Sequence, residues 1–241
     1  MTLETCPTDT ELAAALRAGI ETGDFLKNGK LLPERALAEA LTVTRARMRR
    51  ILDRLEEDGT VFRRHGQGTF VSPPPAVGAS PFRAVAAKVM PRDVMEVRLE
   101  IEPALAALAA QRASVKELRT LEQLMRATLD AADTQAYGVA DDVFHYKIAE
   151  LAHNPLFLTV YDSIRAVRKQ AEWTRQRETQ YSPSTLTRLG EQHEQLFSSI
   201  ASRHSQAAAE IMQSHLLSVS NAMLRERTYG QTQTLSDLAE E

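Results

Sequence analysis

The stretch from Pro33 to Val71, PERALAEALTVTRARMRRILDRLEEDGTVFRRHGQGTFV, limits what this chain can fold into more than any other part of it. Pro33 stands where a first helical turn tolerates proline, and Leu37, Ala38 and Leu41 give the helix after it one inward face. Thr42-Val43 makes a tight turn and Thr44 can cap a further helix, in which Met48, Ile51, Leu52 and Leu55 share a side. Arg45, Arg47, Arg49 and Arg50 lie elsewhere around that helix, which ends at Asp58-Gly59. Thr60–Arg64 and Gly68–Val71 read as short strands around His65-Gly66-Gln67, a hairpin. Upstream, Thr8-Asp9-Thr10 can cap a first helix carrying Leu12, Leu16 and Ile20, and Gly23 and Gly29 flank a loop. Helix, helix, turn, basic helix and glycine-bearing wing is the order of a winged helix-turn-helix.

Charge supports that reading. Residues 44–71 hold seven arginines against four acids, the acids confined to Asp53 and Glu56–Asp58, while the whole chain carries a net charge of −3. A compact basic face on an otherwise acidic chain suits double-stranded DNA. Thr44 and Arg45 open the helix that would enter the groove. Arg49 follows one turn later and can face DNA with Arg45. Arg47 points to a different side, from which bases or flanking phosphates are in reach. An arginine fork matches the two major-groove acceptors of guanine. Taken alone, four surface arginines on a helix are as often a solvated face.

Ser72–Gly78 contains Pro73-Pro74-Pro75, a stiff extended spacer, and residues 73–81 form the expected linker between domains 8–72 and 82–229. From Phe82 onward no strand pattern is evident. Apolar residues recur at helical spacing over about 93–113, 114–131, 135–152, 155–179, 184–203 and 205–228, so the second domain is expected to be an all-α bundle, with Pro103 kinking its first helix. The fold class is therefore mainly α with one small β-hairpin wing. Residues 230–241 read as a polar, frayed tail. The one cysteine, Cys6, can form no internal disulfide, no apolar run approaches the roughly 18 residues that span a bilayer, and the N-terminus lacks the pattern of a signal peptide, so a cytoplasmic protein is expected.

The bundle carries polar residues where apolar ones are expected. Asp141 and His145 are four apart on the face of Ile148, Ala149 and Ala152. His193 falls in the stripe of Leu189, Leu196 and Ile200, and His215 in that of Ile211, Met212 and Val219. One carboxylate and three imidazoles thus point inward from three helices and need partners. A divalent metal supplies one, with zinc or nickel first and manganese or iron after them. Core histidines bonded to one another or to water are the alternative. Asp142 faces about 100° away from Asp141 in a helix. Arg98 is a candidate anchor for an anionic ligand, set against an ion pair with Glu102 one turn on. Asn221, within two turns of His215, is a second.

Residues 9–72 resemble the winged-helix domain of GntR-family bacterial regulators through Leu32-Pro33-Glu34-Arg35, Val43-Thr44-Arg45 and Gly66-Gln67-Gly68-Thr69-Phe70-Val71. The resemblance implies DNA contacts from Arg35, Thr44, Arg45 and Arg49, with His65 and Gly66 in the wing. Two departures stand out: the proline directly precedes the Glu-Arg pair, and Arg50 replaces a usual glutamate. The helical half resembles the FCD domain of the FadR branch through Glu96-Val97-Arg98, Ile101-Glu102-Pro103, Leu108–Ala113, Phe144-His145, Asn154-Pro155, Glu191-x-His193 and Met212-x-x-His215-Leu216. It implies a metal site at Asp141, His145, His193 and His215.

Together these features lead to the expectation of a homodimeric transcription regulator and not an enzyme. It would read a short inverted-repeat operator and answer to a small organic acid bound beside the metal, with Arg98 and Asn221 as effector contacts. Two rivals remain at this point. One is a metal-dependent hydrolase or lyase with a DNA-binding-like appendage. The other is a metal-free ligand-binding bundle.

Overall fold

A computed structural model describes residues 7–27, 30–64, 68–71, 85–86, 88–170 and 181–237, the side chains of 64, 169–170 and 223–237 excepted. The chain divides into two compact units, Met1–Pro74 and Pro75–Glu241. The expected linker, 73–81, lies outside the described residues.

In the first unit α1 (Asp9–Thr22) starts at a reciprocal cap, the Thr8 hydroxyl accepting from Glu11 N at 3.2 Å while Thr8 N donates to the Glu11 carboxylate at 2.6 Å. It stops at Gly23, whose φ of +87° lies in the left-handed region that glycine enters without strain. Next come α2 (Glu34–Ala40) and α3 (Arg45–Glu57). The turn between them passes Thr42 at φ +53°, and the Val43 N–H closes on the Ala38 carbonyl at 2.9 Å. Thr44 caps α3 by accepting from Arg47 N at 3.2 Å. Leu12 and Leu16 of α1, Leu37 of α2 and Met48, Ile51 and Leu55 of α3 close one buried core.

The wing pairs β3 (Phe62–Arg64) with β4 (Gly68–Phe70) antiparallel, Phe62 opposite Phe70 and Arg64 opposite Gly68. The segment between α1 and α2, expected as a loop, is different. It forms β1 (Leu26–Lys27) and β2 (Lys30–Leu31), and β2 pairs with β4, giving a four-stranded sheet in the order β1-β2-β4-β3. Strands of two residues show no alternation for sequence reasoning to find. What calls them up is the second edge of β4, whose backbone groups need partners.

The second unit contains only helices among its described residues: α4 (Pro91–Arg112), α5 (Val115–Leu129), α6 (Thr134–Leu151), α7 (Pro155–Gln170), α8 (Pro183–Ala201) and α9 (Ser205–Asp237). Ser114, Asp133 and Ser182 cap α5, α6 and α8 with their side-chain oxygens, and Asn154 Oδ1 accepts from two backbone N–H groups at the start of α7. Central α4 packs against α6, α7, α8 and α9. Its Ala106, Ala109 and Ala110 are fully buried, small side chains that allow neighbouring backbones close. The helix continues on both sides of Pro103. At the chain end α9 runs to Asp237, beyond the expected stop near 228. The added turns are polar and include Gly230, so no apolar stripe announces them, and they propagate from a helix already nucleated.

Candidate functional site

The four residues expected at the centre of the bundle meet there. Asp141 and His145 come from α6, His193 from α8 and His215 from α9. All are buried, and one donor atom from each lies within 4.8 Å of the others. His193 Nε2 is 3.3 Å from the Nε2 atoms of both His145 and His215. Asp141 Oδ1 stands 3.5 Å from two of these nitrogens and 3.9 Å from the third.

Which nitrogen carries the proton follows from the outer partners. Glu102 Oε2 faces His145 Nδ1 at 2.6 Å. Burial alone would raise the Glu102 carboxyl, but Arg98 and His145 beside it outweigh this and hold it at about 2, so it is a carboxylate and must accept. The Thr128 hydroxyl gives its hydrogen to the Met125 carbonyl at 2.7 Å, so its oxygen accepts from His193 Nδ1 at 3.1 Å. The Gln192 amide nitrogen is engaged with Ser218 at 3.0 Å, which turns its oxygen to His215 Nδ1 at 3.3 Å. All three imidazoles are thereby Nδ1–H tautomers with an Nε2 lone pair directed at the common centre. Burial pushes His215 well below the usual imidazole range, and His193 and His145 add to the effect, so it is neutral.

Three lone pairs and a carboxylate oxygen this close repel one another. Pairing two imidazoles directly would put a proton on one Nε2 and leave its Nδ1 bare against an acceptor oxygen. A divalent cation removes the conflict: ligand bonds of about 2.0–2.2 Å give ligand–ligand separations of the size seen here, and the oxygen partners supply the outer support of metal-binding histidines. The donor set fits a transition metal.

Sequence reasoning missed most of that support. Thr128 and Glu102 were detectable as polar residues on otherwise apolar inner stripes, whereas nothing local marks Gln192. Arg168 of α7 donates to Asp141 Oδ2 at 3.1 Å. Asp142, turned away as expected, pairs with Arg165 at 2.6 Å. Arg98 is buried and paired with Glu102 through Nε and, at 3.3 Å, Nη2. Asn221 lies exposed on α9.

In the first unit, Arg45 and Arg49 stand one turn apart on α3 with side chains 67% and 65% exposed. Arg35 on α2 is exposed and pairs with Glu39 at 2.9 Å. Arg47 is set apart from them. Only 20% exposed, it pairs with Asp9 at 2.7 Å and donates to the Pro7 carbonyl, tying α3 to the start of α1. Arg63 of β3 is held against α3 by Asp53 and Glu56. His65 and Gly66 lie outside the described residues. No helix among those described is long and apolar enough to cross a membrane.

Comparison with known proteins follows the same division. A family profile described as bacterial regulatory proteins, gntR family, matches residues 8–71, and the FCD domain profile matches 93–218. A protein of Escherichia coli (strain K12) assigned to regulation of the L-lactate dehydrogenase operon is 29% identical over 223 residues, covering 89% of this chain and 86% of its own. The transcriptional regulator LutR of Bacillus subtilis (strain 168) is 25% identical over 209 residues, 85% of this chain and 95% of its own. Among solved structures, E. coli McbR/YncC superposes with a TM-score of 0.51 at 17% identity, covering 91% of this chain and 98% of that one, a likeness of fold.

Proposed function

The chain belongs to the GntR family of bacterial regulators, in the branch whose helical half is an FCD domain, and from that premise we propose how this DNA-binding transcription regulator works. A homodimer reads a short inverted-repeat operator. A small carboxylate metabolite, bound beside a divalent transition metal in the helical unit, sets its operator affinity. The observation that carries the second half is the convergence of three Nε2 atoms on one point with Asp141 Oδ1, while each ring's Nδ1 faces an oxygen.

His145, His193, His215 and Asp141 hold the ion, zinc or nickel before manganese or iron. Once bound, such an ion supplies an electrophilic anchor for a carboxylate oxygen. Around it, Arg98 brings a second positive group and the Tyr161 hydroxyl a donor. That hydroxyl is buried near Glu102 and Arg98 and has no hydrogen-bond partner among the described residues. Asn221, exposed midway along the same helix as His215, serves as an outer contact. Asp141 joins the site to α7 through Arg168, so a ligand that binds one arrangement of these groups better shifts the bundle toward it.

On the DNA side, Arg45 and Arg49 reach base edges, Thr44 and Arg35 fix register on the phosphates, and His65 and Gly66 act from the wing. Arg47 holds α3 in place for them. The family and the relatives are regulators, which disfavours the hydrolase or lyase reading. The test is elemental analysis of the purified chain with a screen of organic acids by thermal shift, before and after chelation. One equivalent of metal, lost in His193→Ala, and acid-induced stabilisation that chelation abolishes are expected. Equal metal content in wild type and variant would overturn the site.

A further inference from the structure

The Glu34 carboxylate lies between the two arginines that open α3. Its Oε1 is 3.8 Å from Arg45 Nε and its Oε2 is 3.3 Å from Arg49 Nε. Glu34 is the first residue of α2, set directly behind Pro33, and its side chain is only 24% exposed, against about two thirds for each arginine. The less mobile acid is therefore the fixed member of the trio. Each guanidinium has two edges that can form paired hydrogen bonds, one including Nε and one made of the two Nη groups. The carboxylate sits on the Nε side of both, which leaves the Nη forks free, and such a fork is what matches guanine O6 and N7.

We propose that Glu34 is a positioning and specificity-determining residue for DNA reading: one carboxylate lies between Arg45 and Arg49, biases the direction of both forks and offsets the repulsion between like charges one helical turn apart. The inference rests on the reading of Arg45 and Arg49 as base contacts. Without the carboxylate the two side chains regain rotamer freedom and turn to the nearest anions, the phosphates, which carry no sequence information. The chain's departure from the usual family pattern, with proline directly before the Glu-Arg pair, falls at this residue.

The experiment uses the full-length protein and a randomised duplex library, from which wild type, Glu34→Ala and Glu34→Gln each select bound sequences. Affinity for the wild-type consensus and for a scrambled duplex is then measured against salt. Glu34→Ala is expected to lose roughly tenfold in the consensus-to-scrambled ratio. Its scrambled binding should rise, with a salt slope steeper by about one unit for each further phosphate that an arginine neutralises. Glu34→Gln, which keeps an oxygen acceptor but not the charge, should fall between. In an Arg45→Ala, Arg49→Ala background the effect of Glu34→Ala should vanish, because the carboxylate acts only through those side chains. A Glu34→Ala variant that enriches the same motif with an unchanged ratio overturns the inference alone. So does an equal loss on both duplexes, the mark of a merely structural role. A wild type that enriches no motif overturns the reading beneath it as well.

Discussion

Arginine–carboxylate pairs serve opposite ends in the two units. In the first, Arg35, Arg45 and Arg49 meet Glu39 and Glu34 at the surface, with most of each guanidinium in water. Exposed pairs are worth about 0–1 kcal/mol, so they direct a side chain without detaining it and can be exchanged for a phosphate or a base. In the second, Arg98, Arg165 and Arg168 meet Glu102, Asp142 and Asp141 out of solvent. There each charge depends on its partner, and the pair fixes geometry. The same two functional groups are a loose guide in one place and a rigid frame in the other, and solvent access is the difference.

The comparison can be broken most forcefully at Glu102. Glu102→Ala strands Arg98 in the interior and should cost about 3–5 kcal/mol, read by urea unfolding of chelated protein so that metal loss does not contribute. A loss under about 1 kcal/mol would put that pair with the surface ones. Because the carboxyl is held at about 2 against an ordinary 4.5, the pair contributes fully above that ordinary value and is lost only as pH falls toward the lower one. The deficit should therefore be flat from about pH 5 to 8.

A smaller effect is expected at Thr128. Thr128→Val keeps the shape but takes the acceptor from His193 Nδ1, and metal affinity should drop about 10–100-fold in competition with a chromogenic chelator. Unchanged affinity would show that the hydroxyl does not set the tautomer. On the surface, Arg45→Ala should lose about 1–3 kcal/mol of base discrimination while stability moves by no more than about 0.5 kcal/mol. Arg47→Ala should do the reverse, costing up to about 1 kcal/mol of first-unit stability and leaving base preference intact. An altered preference in Arg47→Ala would return that residue to the groove.

What sequence alone disclosed follows the same physics. His145, His193 and His215 were legible because a titratable residue on an apolar stripe is conspicuous at helical spacing. Arg45 and Arg49 were legible through the cap at Thr44 and their one-turn separation. The β1–β2 hairpin was not, since a two-residue strand has no period and is induced by β4 from far along the chain. The partners of Arg47 were not legible for a related reason: helical spacing gives its direction, but the acceptors waiting there, Asp9 and the Pro7 carbonyl, belong to another helix and its approach. Gln192 became visible only when α9 brought His215 against α8.

Asp141 turns one oxygen to the imidazole centre and the other to Arg168, and that sharing has an electrostatic consequence. Pair by pair, the negative charges of Asp141 and Glu102 cancel the positive charges of Arg168 and Arg98. A divalent ion would add two positive charges, and among the described buried groups only Asp162, which shares Arg165 with Asp142, is left over to offset one of them. Electroneutrality would then make the loaded centre a better receptor for anions than the bare one.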